Sequence, residues 1–101
     1  MKKPSTQLKA ILLIANYPAL KPVVLPLIDT ETETIFFEDL SYGSLSGGIK
    51  TAVTWIYCIW TDELPPREWG WRDPFEGFGV MDAELQKLIL KAMAYRHGGF
   101  L

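Results

Sequence analysis

Apolar residues recur at helical spacing near the start of the chain, where three- and four-residue steps separate Leu8, Ile11, Leu12 and Ala15. This spacing places them on one face of a helix. The hydroxyl of Ser5 or Thr6 is suited to accept a backbone N–H of the first turn. We therefore predict a first helix over residues 6–16, ending at Tyr17-Pro18 because proline disfavours helical backbone in the residue before it.

The pattern between residues 19 and 40 favours extended structure. Pro22 and Pro26 each remove a backbone donor, so residues 23–28 are predicted to form a short edge strand and not a helix. The sequence TIFFE at 34–38 is rich in β-branched and aromatic residues and predicts a second strand. The acidic stretch 29–33 between them is then the turn of a hairpin.

The segment IKTAVTWIYCIW at 49–60 combines a strand-like composition with a helix-like period. At about 100° per residue its apolar side chains fill one arc of roughly 200°. The remaining face carries Lys50, Thr51, Thr54 and Cys58. A strand would mix the two classes, so we predict a second helix over 47–61, with Ser44 or Ser46 as its cap. The alternative is a strand over 52–60.

The last third of the chain contains an irregular stretch followed by a regular one. Three prolines and three glycines fall within residues 64–80, which predicts a long aromatic-rich loop. Asp82 then caps a third helix, which Gly98 and Gly99 terminate. The predicted buried stripe of this helix consists of Leu85, Leu88, Ile89, Ala92 and Met93.

These elements predict a single, mainly helical α+β domain over residues 1–101, in the order α-β-β-α-α. A short two-stranded hairpin packs on a central apolar helix. With residues 52–60 as a strand, the order would be α-β-β-β-α. The apolar arc of the helix over 47–61 is wider than one neighbour can cover, so we expect a twofold homodimer to complete its burial, unless other segments of the same chain surround it.

Composition excludes several classes of protein. A chain of 101 residues with 49% hydrophobic residues can bury one core. A net charge of −2 gives no general attraction for phosphates, so nucleic-acid binding is not expected. No apolar run approaches the roughly 20 residues of a membrane span. The single Cys58 fits a reducing compartment, and we expect a cytoplasmic protein without cofactors.

The loop over 64–80 has the composition of a binding surface. Aromatic rings and arginine are enriched at interface hot spots, and tryptophan beside carboxylates suits sugar binding because rings stack on the apolar faces of sugars. The candidate binding residues are Trp69, Trp71, Arg72, Asp73 and Phe75. The simplest interpretation is structural, since a loop of this length must be held on the core and inward-facing aromatics would do that.

Catalytic chemistry has little support in the sequence. Glu68, Asp73 and Glu76 lie close in sequence, but a glycosidase needs two carboxylates held about 5 to 9 Å apart, which sequence proximity does not supply. A single histidine and a single cysteine cannot form a Cys/His zinc site, and residues 41–48 lack the spacing of a phosphate loop. We therefore expect a non-enzymatic interaction or accessory protein. The alternative is a small-ligand-binding protein or hydrolase-like enzyme that uses residues 68–78.

Three further side chains carry specific expectations. Arg96 falls on the apolar stripe of the third helix; it either pairs with an acid or extends along its own stem to water, and we expect the second. The acids considered are Glu38, Asp39, Asp62 and Glu63. His97 is placed to meet free carbonyls at the helix end. Cys58 lies in the body of an apolar helix and is expected to be a slowly reacting structural thiol.

Overall fold

The computed structural model of the chain describes residues 5–97. It is mainly helical with one short antiparallel hairpin, which confirms the predicted fold class. In chain order the elements are α1 (Thr6–Ala15), α2 (Lys21–Val24), β1 (Ile28–Asp29), β2 (Thr34–Ile35), α3 (Gly47–Thr61), α4 (Pro74–Gly79) and α5 (Ala83–His97). Single 3-10 turns lie at Leu25–Leu27, Phe37–Asp39, Tyr42–Ser44 and Arg67–Trp69.

The central element is α3, which has the bounds predicted for the second helix. Its apolar side chains, among them Trp55, Ile56 and Ile59, are buried, and α1, α4 and α5 all pack against it. The strand alternative is wrong, because the helical period lets this packing outweigh the modest helix propensity of β-branched residues. Ser46 occupies the N-cap position in extended backbone, without a capping bond from its side chain.

The predicted polar face of α3 is also covered in part, since Thr51 and Thr54 are buried while Lys50 and Cys58 are half-buried. Thr51 and Thr54 are only 5% and 1% exposed. The Thr51 hydroxyl donates to the Gly47 carbonyl at 3.1 Å, and that of Thr54 donates to the Lys50 carbonyl at 2.8 Å. The Tyr42 hydroxyl lies 2.9 Å from Thr54 Oγ1. The chain itself therefore covers both faces of α3, which does not need a second copy to complete its burial.

The C-terminal end of α3 is contacted by side chains from α1 and α5. The Gln7 amide donates to the Trp60 carbonyl, and Arg96 Nε donates to the Ile59 carbonyl at 3.2 Å. The last carbonyls of a helix have no backbone N–H donor within the helix, so they accept hydrogen bonds from elsewhere. Here the start of α1 and the end of α5 supply them.

Arg96 is ion-paired, and the expectation that it extends freely to water is wrong. Its Nη2 lies 2.9 Å from Asp62 Oδ2, and the two side chains are 22% and 63% exposed. Asp62 adopts left-handed backbone, with φ of 62°, at the C-cap of α3. Asp62 is one of the four acids considered from the sequence, but helical spacing within α5 could not select it, because the pairing depends on where the end of α3 lies.

The start of α5 is joined to the segment after α1. Tyr17 Oη donates to Asp82 Oδ2 at 2.7 Å, and this hydrogen bond raises the pKa of the Tyr17 phenol. The start of α1 and the end of α5 both contact the C-terminal end of α3, and the segment after α1 bonds to the start of α5. The two helices therefore run antiparallel.

The buried residues of α5 are Leu85, Ile89 and Ala92, whereas Leu88 and Met93 of the predicted stripe are half-buried. The predicted terminators Gly98 and Gly99 lie outside the described residues.

Residues 21–27 form α2 and a 3-10 turn where an edge strand was predicted. Pro22 and Pro26 both lie at the beginning of a helical segment, where a backbone N–H has no helical acceptor. Proline is therefore compatible with both segments. Val24 and Leu27 contribute to the core from this region.

The hairpin is shorter than predicted. Ile28 pairs with Ile35 in an antiparallel register, and each strand has two residues. The Asp29 carboxylate accepts backbone N–H groups of the turn, and Glu33 adopts a left-handed φ of 52°. Phe37 and Glu38, the last two residues of the predicted second strand, belong instead to the 3-10 turn Phe37–Asp39.

The segment 64–80, predicted to be an irregular loop, contains a 3-10 turn and α4. The six residues of α4 are too few for a hydrophobic period to appear in the sequence, and two of them are glycines, which disfavour helix. One of these glycines, Gly77, lies against α3. A Cβ atom at Gly77 would be 2.4 Å from Thr51 Oγ1 and 2.5 Å from Thr51 Cγ2, so no larger residue fits without displacement.

We expect Gly77→Ala to lower the free energy of unfolding by about 1–3 kcal/mol, because the added methyl overpacks a buried contact. Gly79→Ala is the matched control, since a Cβ at Gly79 meets nothing within 4 Å. Urea unfolding would measure both. Thr51→Ala should recover part of the loss in the double variant. Equal stability of the two glycine variants would contradict the packing of α4 on α3.

Candidate functional site

One hydrogen bond starts α4, and a second joins it to α3 in the body of the protein. Asp73 is the N-cap, and its Oδ1 accepts the Phe75 N–H at 2.8 Å. Pro74 is buried, and its carbonyl accepts the Trp55 indole N–H at 3.1 Å. Asp73 was a candidate binding residue, but its carboxylate is engaged in starting α4.

Phe75 projects from α4 and is 76% exposed. Its ring meets Trp55 edge to face, with centroids 5.2 Å apart and planes at 84°. Phe78 also contacts Trp55, at 6.0 Å. An apolar hollow of about 70 Å³ lies here, and we call its lining the Phe75 patch: Trp55, Phe75, Phe78, Leu90 and Met93. Leu90 is 51% exposed, so a large apolar area of this patch is open to solvent.

Trp69 belongs to a different aromatic cluster. Its ring centroid is 5.1 Å from that of Tyr42, 5.3 Å from Tyr57 and 6.1 Å from Phe37. The Lys50 ammonium lies 5.8 Å from the centre of the Tyr42 ring. The rings pack on one another and are half-buried or buried. This is the inward-facing arrangement that the structural interpretation predicted for the loop.

Trp71 is half-buried, and its indole N–H donates to the Pro65 carbonyl at 2.9 Å. It lines a shallow hollow of about 400 Å³ with Leu64, Pro65 and Arg67. Arg72 is exposed, and among residues 5–97 no acid forms an ion pair with it. The five candidate residues therefore do not form one site: Trp69 and Trp71 pack against the core, Arg72 is exposed, Asp73 caps α4, and Phe75 faces outward.

The three carboxylates of the loop do not form a catalytic pair. Asp73 is a helix cap, while Glu68 and Glu76 are exposed. Within residues 5–97, no hydrogen bond or ion pair links any of the three to another ionisable group. No group of three or more His, Cys, Asp or Glu residues in this part of the chain could hold a metal ion.

Sequence reasoning missed Leu90, which completes the patch. Leu90 lies outside the predicted buried stripe of α5. An apolar residue in that position is expected to be exposed, and this was the signal in the sequence that could have identified it as a surface residue. The sequence could not indicate that α4 would place Phe75 beside it. The missed contributions of Trp55, Phe78 and Met93 depend on the same packing.

The helices described in residues 5–97 do not qualify as membrane spans. The longest, α3 and α5, have 15 residues each, fewer than the roughly 20 needed to cross a bilayer. Comparison of the chain with protein-family models, curated proteins and solved structures gave no match.

Cys58 is half-buried in the body of α3, and burial raises the pKa of its thiol because the thiolate is poorly solvated there. The thiolate is the reactive form.

We therefore expect iodoacetamide to alkylate Cys58 of the native protein more slowly than that of the urea-unfolded protein at pH 8, with the native rate rising at higher pH. The raised pKa also means that the fold loses stability as pH rises above the pKa of the unfolded thiol. Cys58→Ser is the labelling control. Native alkylation as fast as that of the unfolded chain would contradict a protected thiol.

Proposed function

We propose that this protein is a non-enzymatic interaction protein and that the Phe75 patch is its binding surface. The observation that carries the proposal is the 76% exposure of Phe75 beside an apolar hollow. Exposed aromatic rings next to apolar hollows are typical of interface hot spots, where burial of the ring supplies much of the binding energy.

The partner that we propose for the patch is a second copy of the chain. A twofold interface uses the same surface on both copies, and this patch contains a projecting ring and a hollow side by side. In such a dimer, Phe75 of each copy would fill the hollow of the other. The net charge of −2 per chain produces little repulsion between copies.

The proposed dimer is weak. Five side chains cover less than the roughly 800 Å² per partner of a standard stable interface. We therefore expect dissociation constants of about 10 µM or weaker, in the range of transient complexes. Association at this strength would depend on protein concentration.

The alternative, a small-ligand-binding or hydrolase-like function for residues 68–78, has less support. Asp73 is engaged as a cap, and both candidate tryptophans are half-buried and packed against the core. We further propose that the protein acts in the cytoplasm and without nucleic acid, because it combines a free Cys58 with a slightly negative charge.

Sedimentation equilibrium at protein concentrations of about 10–500 µM would test the dimer. This range starts at the strongest dissociation constant that we expect, about 10 µM, and extends to weaker ones. We expect the wild-type mass to rise toward twice that of one chain. Phe75→Gln and Leu90→Gln should hold the mass at that of the monomer, because each removes apolar area from the patch. Leu64→Gln is the matched control, since Leu64 is 54% exposed against 51% for Leu90 but lies outside the patch.

Two outcomes would overturn the proposed dimer. One is a monomeric wild type across the whole concentration range. The other is a dimer that Leu64→Gln weakens as much as Leu90→Gln does. Circular dichroism of each variant would verify that the helices remain folded, so that a change in mass reports on association.

A further inference from the structure

A second surface lies between α1 and α5, where an open groove of about 430 Å³ is found. Its lining residues are Lys9, Leu12, Leu13, Asn16, Lys91 and Tyr95. None of them belongs to the Phe75 patch, so this groove is independent of the proposed dimer.

The spacing of the lining residues defines the shape of the groove. Positions 9, 12 and 13 on α1 and position 16 at its C-cap follow the steps i, i+3, i+4 and i+7, which is one helical face about two turns or roughly 10 Å long. Positions 91 and 95 form the facing row on α5. Leu12 and Leu13 are half-buried, and the lining is mainly apolar.

Charge distinguishes this groove from an ordinary seam between helices. Lys9 and Lys91 are exposed and stand on opposite helices. Among residues 5–97, neither ammonium forms an ion pair with an acid. Glu84, an acid on α5, lies about two turns before Lys91 and does not line the groove. The groove therefore presents an apolar floor between two available positive charges, on a chain whose net charge is −2.

We propose that this groove binds an amphipathic helix of a partner protein, about two turns long, whose apolar stripe is flanked by Asp or Glu on both sides. Leucine-lined grooves between helices accept such a stripe at i, i+3 or i+4, and i+7. The flanking acids would meet Lys9 and Lys91. A helix fits better than a small molecule, because a small-molecule site encloses most of its ligand and this groove is open to solvent.

Synthetic helical peptides would test the proposal. They are titrated into the Phe75→Gln variant of the protein, in which the competing Phe75 patch is disrupted. The first peptide carries leucines at i, i+3 and i+7 with flanking glutamates, the second replaces those glutamates by lysines, and the third replaces the leucines by serines. Fluorescence anisotropy measures affinity, and backbone amide NMR shifts locate the site. We expect the first peptide to bind roughly tenfold or more tightly than either control, with shifts on α1 and α5 around Leu12 and Tyr95.

Charge reversal in the protein provides the decisive comparison. The double variant Lys9→Glu/Lys91→Glu should lose about tenfold in affinity for the glutamate peptide and gain affinity for the lysine peptide. The matched control, Lys21→Glu/Arg72→Glu, changes the net charge equally at exposed positions outside the groove and should leave the preference unchanged.

Several results would overturn the proposal. They are equal affinity for the glutamate and lysine peptides, shifts located away from α1 and α5, or loss of preference in the Lys21→Glu/Arg72→Glu control. Two further results would assign the groove to another occupant: groove shifts produced by raising the protein concentration alone, which indicate a second copy, and binding to anionic phosphatidylglycerol vesicles but not to the glutamate peptide, which indicates a membrane surface.

Discussion

The arrangement of the other helices depends on the burial of α3 around most of its circumference. A helix enclosed in this way cannot leave its polar groups to water, so they must be satisfied inside the protein. Thr51 and Thr54 bond back to carbonyls of their own helix, while Gln7 and Arg96 reach the carbonyls at its C-terminal end. These last two bonds also place the start of α1 and the end of α5 side by side.

The same burial explains how an apparently irregular segment produces an exposed aromatic. Trp55 is a buried residue of α3 whose indole N–H needs an acceptor, and the Pro74 carbonyl is that acceptor. Gly77 then lies against Thr51, at a distance that excludes a side chain. Pro74 and Gly77 of this short helix are buried against α3, whereas the Phe75 ring meets Trp55 edge to face and remains 76% exposed. Its exposure is a consequence of how α4 is held.

Two surfaces of different character result from this architecture. The Phe75 patch is apolar, with a projecting ring, and suits burial against a like surface. The groove between α1 and α5 combines half-buried leucines with Lys9 and Lys91, and suits a partner that supplies acids. Both are small, so the associations that we propose for them would be transient and would depend on concentration.

The sequence by itself determined the long elements, because a hydrophobic period sustained over three or more turns has one favourable way to bury its apolar side. It predicted the bounds of α3 and the presence of a hairpin before it, although the first strand was predicted over residues that form α2 and a 3-10 turn. Tertiary structure decided the short segments and the surfaces. Pro22 lies in the first turn of α2, although its residue type alone argued against a helix there. The helix α4 is too short to show a period, and Arg96 pairs with Asp62 only because two helix ends meet. Such features depend on contacts between distant parts of the chain, which spacing along one segment does not encode.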